Sequence, residues 1–117
     1  MRTNMRLIQL FSAVCLALPL TMAGVTAWSA EQTEIAISVQ GHQFQPAEVH
    51  APANKSLTLR IKNLDGAAME FESASLRVEK VVAAGGEGVV RVRALAPGRY
   101  EFLDDLHQQT RGVLVVP

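Results

Sequence analysis

Apolar and polar residues alternate along most of the chain after Thr33, and the period is two. Ile35, Ile37 and Val39 are separated by Ala36 and Ser38, Leu57, Leu59 and Ile61 by Thr58 and Arg60, and Val90 and Val92 by Arg91. Tyr100 and Phe102 flank Glu101, and Val113–Val116 is a short apolar run. Successive side chains of an extended chain point to opposite faces, so each run predicts a strand with one face on a core and one in water. Gly41, Pro46, Pro52, Asp65-Gly66, Gly85-Gly86 and Pro97-Gly98 interrupt the runs and predict turns. Only Ser73–Leu76 suggests a single helical turn. Seven to eight short strands at this spacing predict an all-β, antiparallel β-sandwich.

The beginning of the chain departs from this pattern. Met1–Arg6 is basic, Leu7–Leu20 is mostly apolar, and small residues follow, in the order of a secretory signal peptide. Val25-Thr26-Ala27 predicts a leader of residues 1–27, with an alternative exit after Ala30, and a domain over 31–117. An uncleaved anchor is the competing reading, but the stretch contains Pro19 and is shorter than the roughly 20 residues a spanning helix needs. Cys15 is the only cysteine and leaves with the leader, so the mature chain has no disulfide and no thiolate. Export places it in an oxidising compartment, for which a bacterial periplasm fits best. No transmembrane segment is expected in the mature chain.

Charge and length narrow the classes further. The 117 residues carry 11 basic and 11 acidic side chains, and removing Arg2 and Arg6 with the leader leaves a net charge of −2. Nothing in that balance attracts nucleic acid or an anionic membrane. One small domain is the expectation, which excludes a multidomain enzyme, a polytopic membrane protein and a disulfide-stapled miniprotein.

Four short motifs in order resemble the cupredoxin family. Phe44-Gln45-Pro46 leads into Glu48–Ala51, then Pro52-Ala53-Asn54-Lys55 precedes a strand ending at Asn63. Leu95-Ala96-Pro97-Gly98-Arg99-Tyr100-Glu101-Phe102 and Gly112-Val113-Leu114-Val115-Val116 follow. The similarity covers Thr33–Val116 and implies a Greek-key, cupredoxin-like sandwich. Met69-Glu70-Phe71-Glu72, an acid at Glu79, and Asp104-Asp105-Leu106-His107 resemble more closely the EfeO-type cupredoxin-like domain of bacterial periplasmic iron-uptake systems. That likeness implies a partner of an iron permease, or of other periplasmic or inner-membrane iron-uptake components, binding iron or copper.

The resemblance also implies where a type 1 blue-copper site would lie. Such a site uses two His, one Cys and a weak axial Met. The family positions fall on Met69 for the first His, Asp104 for the Cys, His107 for the second His, and Gln109 or Thr110 for the Met. One ligand of four is present, so blue-copper electron transfer is not expected.

The residues at and near those positions are still candidates for a metal ion. Strand parity puts Asp104 on the face of Tyr100 and Phe102, where a carboxylate is costly unless paired, protonated or metal-bound. Asp104, Asp105 and His107 together offer hard oxygen donors and one imidazole, suited to iron, manganese, zinc or Cu(II). The adjacent like charges predict a raised carboxyl pKa without metal. A solvated turn at Asp104-Asp105 and a loop histidine bonded to a carbonyl are the bland alternatives. Glu70 and Glu72 share a face, either as one wall of a cation site with Glu79 or as ordinary sheet surface. Met69 is either core or a soft ligand. His42 sits in a Gly-x-x-Phe loop that can approach the metal end of such a fold, or is a free surface histidine; His50 looks solvent-facing. Gly85-Gly86-Glu87-Gly88 lacks the Lys-Ser/Thr of a phosphate loop and reads as a hairpin.

Three functions follow: a metal-binding accessory of iron uptake, a metal-free interaction module on the same fold, or a copper-dependent partner in ferrous-iron oxidation. Only the last would make the protein an enzyme or a redox partner.

Overall fold

A computed structural model describes Gly24 and residues 33–117. The predicted leader, its cleavage sites and Cys15 lie outside the described residues. Among the described residues there are nine strands: β1 (Thr33–Gln40), β2 (Gln43–Gln45), β3 (Glu48–His50), β4 (Leu57–Asn63), β5 (Met69–Ser73), β6 (Val78–Val82), β7 (Glu87–Val92), β8 (Gly98–Asp104) and β9 (His107–Val116). They form two sheets, ordered β2-β1-β4-β7 and β3-β9-β8-β5-β6. Among the described residues there is no helix, and none long and apolar enough to cross a membrane. Where a helical turn was expected, the chain leaves β5 in a turn over residues 74–77, and the Leu76 N–H donates to the Ser73 hydroxyl at 3.2 Å.

The all-β sandwich agrees with the sequence pattern, and two details differ. There are nine strands rather than seven to eight, because β2 and β3 have three residues each, too few for a period to register. The pairing is also not wholly antiparallel. β1 runs parallel to β4 from Thr33↔Leu57 to Val39↔Asn63, and β3 runs parallel to β9. Alternation reports which face a side chain takes and carries no information on the direction of the neighbouring strand.

The inward positions supply the core between the sheets: Ile37 and Val39 of β1, Leu57, Leu59 and Ile61 of β4, Met69 and Phe71 of β5, Phe102 of β8 and Leu114 of β9 are all buried. Phe44 from one sheet meets Phe102 and Phe71 from the other, edge to face, with ring centroids 4.9 and 6.2 Å apart. Burying each such ring contributes about 1.5–3 kcal/mol. Phe44 lies two residues after His42 and Phe102 two before Asp104, so this aromatic cluster is the floor beneath one end of the sandwich.

Candidate metal-binding end of the sandwich

Alternation along β8 turns Asp104 inward, and its side chain is 1% exposed. Both of its oxygens are hydrogen-bonded. Oδ1 accepts the backbone N–H of Glu70 at 3.0 Å and of Leu106 at 3.1 Å, and Oδ2 lies 2.8 Å from Nδ1 of His107. An ionised carboxylate only accepts, so Nδ1 is the donor, and in the neutral ring the lone pair of His107 is then on Nε2. The ring is about one-third exposed. No buried side-chain nitrogen or oxygen lacks a partner among the described residues.

A break in register builds this contact. β8 and β9 pair as Leu103↔Arg111, and the next pair is Asp104↔His107. Gln108, Gln109 and Thr110 are therefore extra residues on β9. Bulges of this kind bend a strand and re-aim its side chains. Here the irregularity sets His107 opposite Asp104 and sends Thr110 toward the β1–β2 turn, where its hydroxyl donates to the His42 carbonyl at 2.6 Å.

The β1–β2 connection is a two-residue hairpin, Gln40↔Gln43, with φ of +60° at Gly41 and +56° at His42. Positive φ at both central residues matches the right-handed twist of the flanking strands, and favours Gly and Asn there. His42 occupies the second position, in the left-handed region that side chains usually avoid. Asp65 holds the turn: its Oδ1 accepts Gly41 N–H at 2.6 Å and its Oδ2 accepts His42 N–H at 2.9 Å. Those two donors hold the Asp65 carboxyl below the usual aspartate range. Asp65 is fixed in turn by Asn63, whose Oδ1 accepts its N–H at 3.0 Å. Asn63 is fully buried, and its Nδ2 donates to Ala67, Val82 and Ala83 carbonyls. The result brings the His42 and His107 rings to a centroid distance of 4.3 Å, tilted by 44°. They border an open cleft of ≈ 700 Å³ between the turn and the start of β9.

The remaining candidates lie elsewhere. Met69 is 1% exposed and is part of the core. Glu70 and Glu72 alternate with Met69 and Phe71 and so take the outer face of the sheet, opposite to Asp104. Glu79 of β6 pairs across from Glu72. Glu70 is pushed up to about 7, first by sharing a hydrogen bond with Glu79, then by partial burial and the charges of Glu79, Asp105 and Glu72. Glu72 is raised by its hydrogen bond to Asp105 and that group's charge. The raised carboxyls are thus Glu70 and Glu72, on the outer face. Asp105 belongs to this group, and Gln108 Nε2 donates to it at 3.1 Å. His50 is remote from both clusters and pairs with Glu48 at 3.0 Å.

Six residues named from sequence therefore separate into Asp104 with His107 at the sandwich end, Glu70, Glu72 and Asp105 on the outer face, and Met69 in the core. Among the described residues no group of three or more His, Cys, Asp or Glu side chains is arranged to hold a metal. A type 1 copper site does not fit: the described residues contain no cysteine, Met69 is sealed in the core, and a carboxylate held by three hydrogen bonds stands where the thiolate would be. Asp65, which positions His42, carried no sequence signal beyond a turn residue, and Thr110 was marked only as a place where the family's axial Met is missing.

Residues 10–116 match the cupredoxin-like domain family. A curated relative, the uncharacterized protein RP394 of Rickettsia prowazekii (strain Madrid E), is 36% identical over 84 residues, which are 71% of this chain and 67% of that one. Among solved structures, auracyanin A, a "blue" copper protein from Chloroflexus aurantiacus, superposes with a TM-score of 0.63 at 16% identity, covering 74% of this chain and 99% of its own. The metal-binding domain of the Streptococcus pneumoniae D39 Cu(I)-exporting P-type ATPase CopA, with Cu(I), gives 0.62 at 16% identity over 72% and 84%. A purple cupredoxin from Nitrosopumilus maritimus gives 0.55 at 14% identity over 74% and 100%. At these identities the likeness is one of fold.

Proposed function

Because the chain belongs to the cupredoxin-like domain family, we propose that it is an exported, periplasmic metal-binding protein that holds iron or copper through His107 and serves as an accessory of iron uptake beside an iron permease. The observation that carries this reading is the 2.8 Å contact between Asp104 and Nδ1 of His107. Histidines that bind metals almost always donate their other ring N–H to a carboxylate or carbonyl, which fixes the tautomer and raises the basicity of the ligating nitrogen. Asp104 acts in this reading as the orienting carboxylate and not as a ligand. Imidazole suits iron, copper and zinc, and without a thiolate the site has no soft donor to favour Cu(I). Copper proteins among the structural neighbours support copper. The resemblance of Met69–Glu72 and Asp104–His107 to iron-uptake domains supports iron and a permease partner. The protein then holds and presents a metal and does not relay electrons.

The test is metal analysis of untagged protein isolated from its native compartment, with cross-linking to membrane partners. Stoichiometric copper or iron that is lost in His107→Gln is expected. Protein that arrives without metal and takes up none in vitro overturns the reading. A metal-free interaction module is the second reading, favoured by Val81 and Val89, 60% and 45% exposed on β6 and β7. A cross-linked partner that is indifferent to metal and to His107→Gln would decide for it.

A further inference from the structure

The second histidine at this end, His42, lies in the Gly-x-x-Phe loop and at none of the four ligand positions of a type 1 copper site. Yet the fold spends several interactions on placing it. Its N–H is held by Asp65, its carbonyl by the buried Thr110, and its backbone sits at φ +56°. A side chain in the left-handed region costs roughly 1–2 kcal/mol, and an observed outlier of this kind is a reason to look for function.

The ring geometry supplies that function. Each imidazole has a carboxylate beside Nδ1, Asp104 at 2.8 Å for His107 and Asp65 at 4.0 Å for His42. Among the described residues neither Nε2 has a hydrogen-bond partner, and both rings border the same open cleft. An ion held at about 2.0–2.1 Å by two imidazole nitrogens lies about 3.2 Å from each ring centre, so ligands at right angles have centroids about 4.5 Å apart. The observed separation is 4.3 Å. Two stacked surface histidines would not need a carboxylate behind each ring. Asp65, which accepts the Gly41 and His42 N–H groups, places a second carboxylate beside the pair.

Resting on the reading that His107 is an outward-facing donor, we propose that His42 and His107 form a two-imidazole site for a borderline divalent cation, Cu(II) foremost, with solvent completing the coordination. Two nitrogens and no carboxylate ligand select against hard ions. Among first-row divalent ions the affinity of such a site peaks at Cu(II). A second donor held in place acts at high effective concentration, so removing it weakens binding by about tenfold or more.

The experiment is Cu(II) titration of the untagged protein by electron paramagnetic resonance and by competition with a chromophoric chelator. It uses wild type, His42→Asn, His107→Gln and the control His50→Gln. Asn is favoured at a left-handed turn position, so His42→Asn keeps the fold, which circular dichroism checks. The expected result is hyperfine coupling to two imidazole nitrogens in wild type and His50→Gln, with one nitrogen and at least tenfold weaker binding in either of the other variants. If His42→Asn leaves coupling and affinity unchanged while His107→Gln removes binding, the two-imidazole site is wrong and the His107 reading stands. If wild type binds no Cu(II), or binds it equally in all four proteins, both fail.

Discussion

Asp104 and His107 face each other across a register break, with Oδ2 and Nδ1 2.8 Å apart, while the other Asp104 oxygen takes two backbone N–H groups. Removing the carboxylate strands those groups. Asp104→Ala leaves the Glu70 and Leu106 N–H groups unpaired at about 1–3 kcal/mol each, so a total loss of about 3–5 kcal/mol is expected, as for other broken buried networks. Urea unfolding measures it. A loss under about 1 kcal/mol would show that Asp104 does not organise this end.

Asp104→Asn separates the structural role from the chemical one. The amide oxygen can still accept both backbone N–H groups, so the fold survives. Its NH₂ then faces Nδ1 of His107 and donates to it, which moves the ring hydrogen to Nε2 and removes the metal-binding lone pair. Loss of such an outer partner typically costs 10–100-fold in metal affinity. ¹⁵N NMR of the ring should report the exchanged tautomer. The wild-type tautomer retained in the variant would remove Asp104 from control of His107.

Much of this was legible in the sequence, and the limits have physical causes. Period-two alternation located β1, β4, β7 and β8, and parity alone turned Asp104 inward beside Phe102. The convergence of Asp104 and His107 also agrees with the spacing. What parity could not supply was the donor set around the buried carboxylate, because the Glu70 N–H comes from a strand 34 residues away. It called for pairing, protonation or a metal at Asp104, and the fold supplies the pairing through three hydrogen bonds. For His42 the sequence left open a loop near the metal end or a free surface histidine, because its position depends on Asp65 and Thr110, 23 and 68 residues distant. The local clue was the Gly-x-x-Phe loop itself, between Gly41 and Phe44.

Gly112 tests the packing beneath the site. A Cβ there would press on the Phe102 ring and come within 2.8 Å of the Ala47 carbonyl oxygen, which is backbone and accepts the Val113 N–H. Phe102 is confined by Phe44 and Phe71 and cannot swing away. Gly112→Ala is expected to cost about 1–3 kcal/mol, as overpacking does, and to lower the melting temperature. An unchanged melting temperature would mean that β3 and β9 can separate freely.

The outer carboxyl group gives a pH signature. Glu70 is raised to about 7 by Glu79, with partial burial and the charges of Asp105 and Glu72 adding to it. A folded value above the unfolded one favours folding while the group is protonated, and that advantage is lost as pH rises through about 7. Glu70→Gln keeps a hydrogen-bonding partner for Glu79 without the charge. The variant should match wild type below the ordinary glutamate range and melt at a higher temperature above pH 7. A difference independent of pH would dissociate Glu70 from the cluster.

Asp65 has the opposite sign and bears directly on His42. Its carboxyl is held below the usual aspartate range by the N–H groups of His42 and Gly41. A lowered folded value contributes stability that is complete above the unfolded value and is lost as pH falls through the folded one. Asp65→Asn cannot replace it, since both oxygens are in use and an amide offers one acceptor and presents N–H to the other backbone donor. The variant should therefore be less stable than wild type at neutral pH, with the gap closing in strong acid. Its His42 ring should also lose its position against His107, so Cu(II) binding falls as it does in His42→Asn. The two variants differ in stability: His42→Asn retains the turn at a residue suited to positive φ, whereas Asp65→Asn disrupts it. Thermal melts from neutral to strongly acidic pH, with Cu(II) titration of both proteins, separate the cases. Unaltered copper binding in Asp65→Asn would mean that the His42 turn holds its shape without the carboxylate.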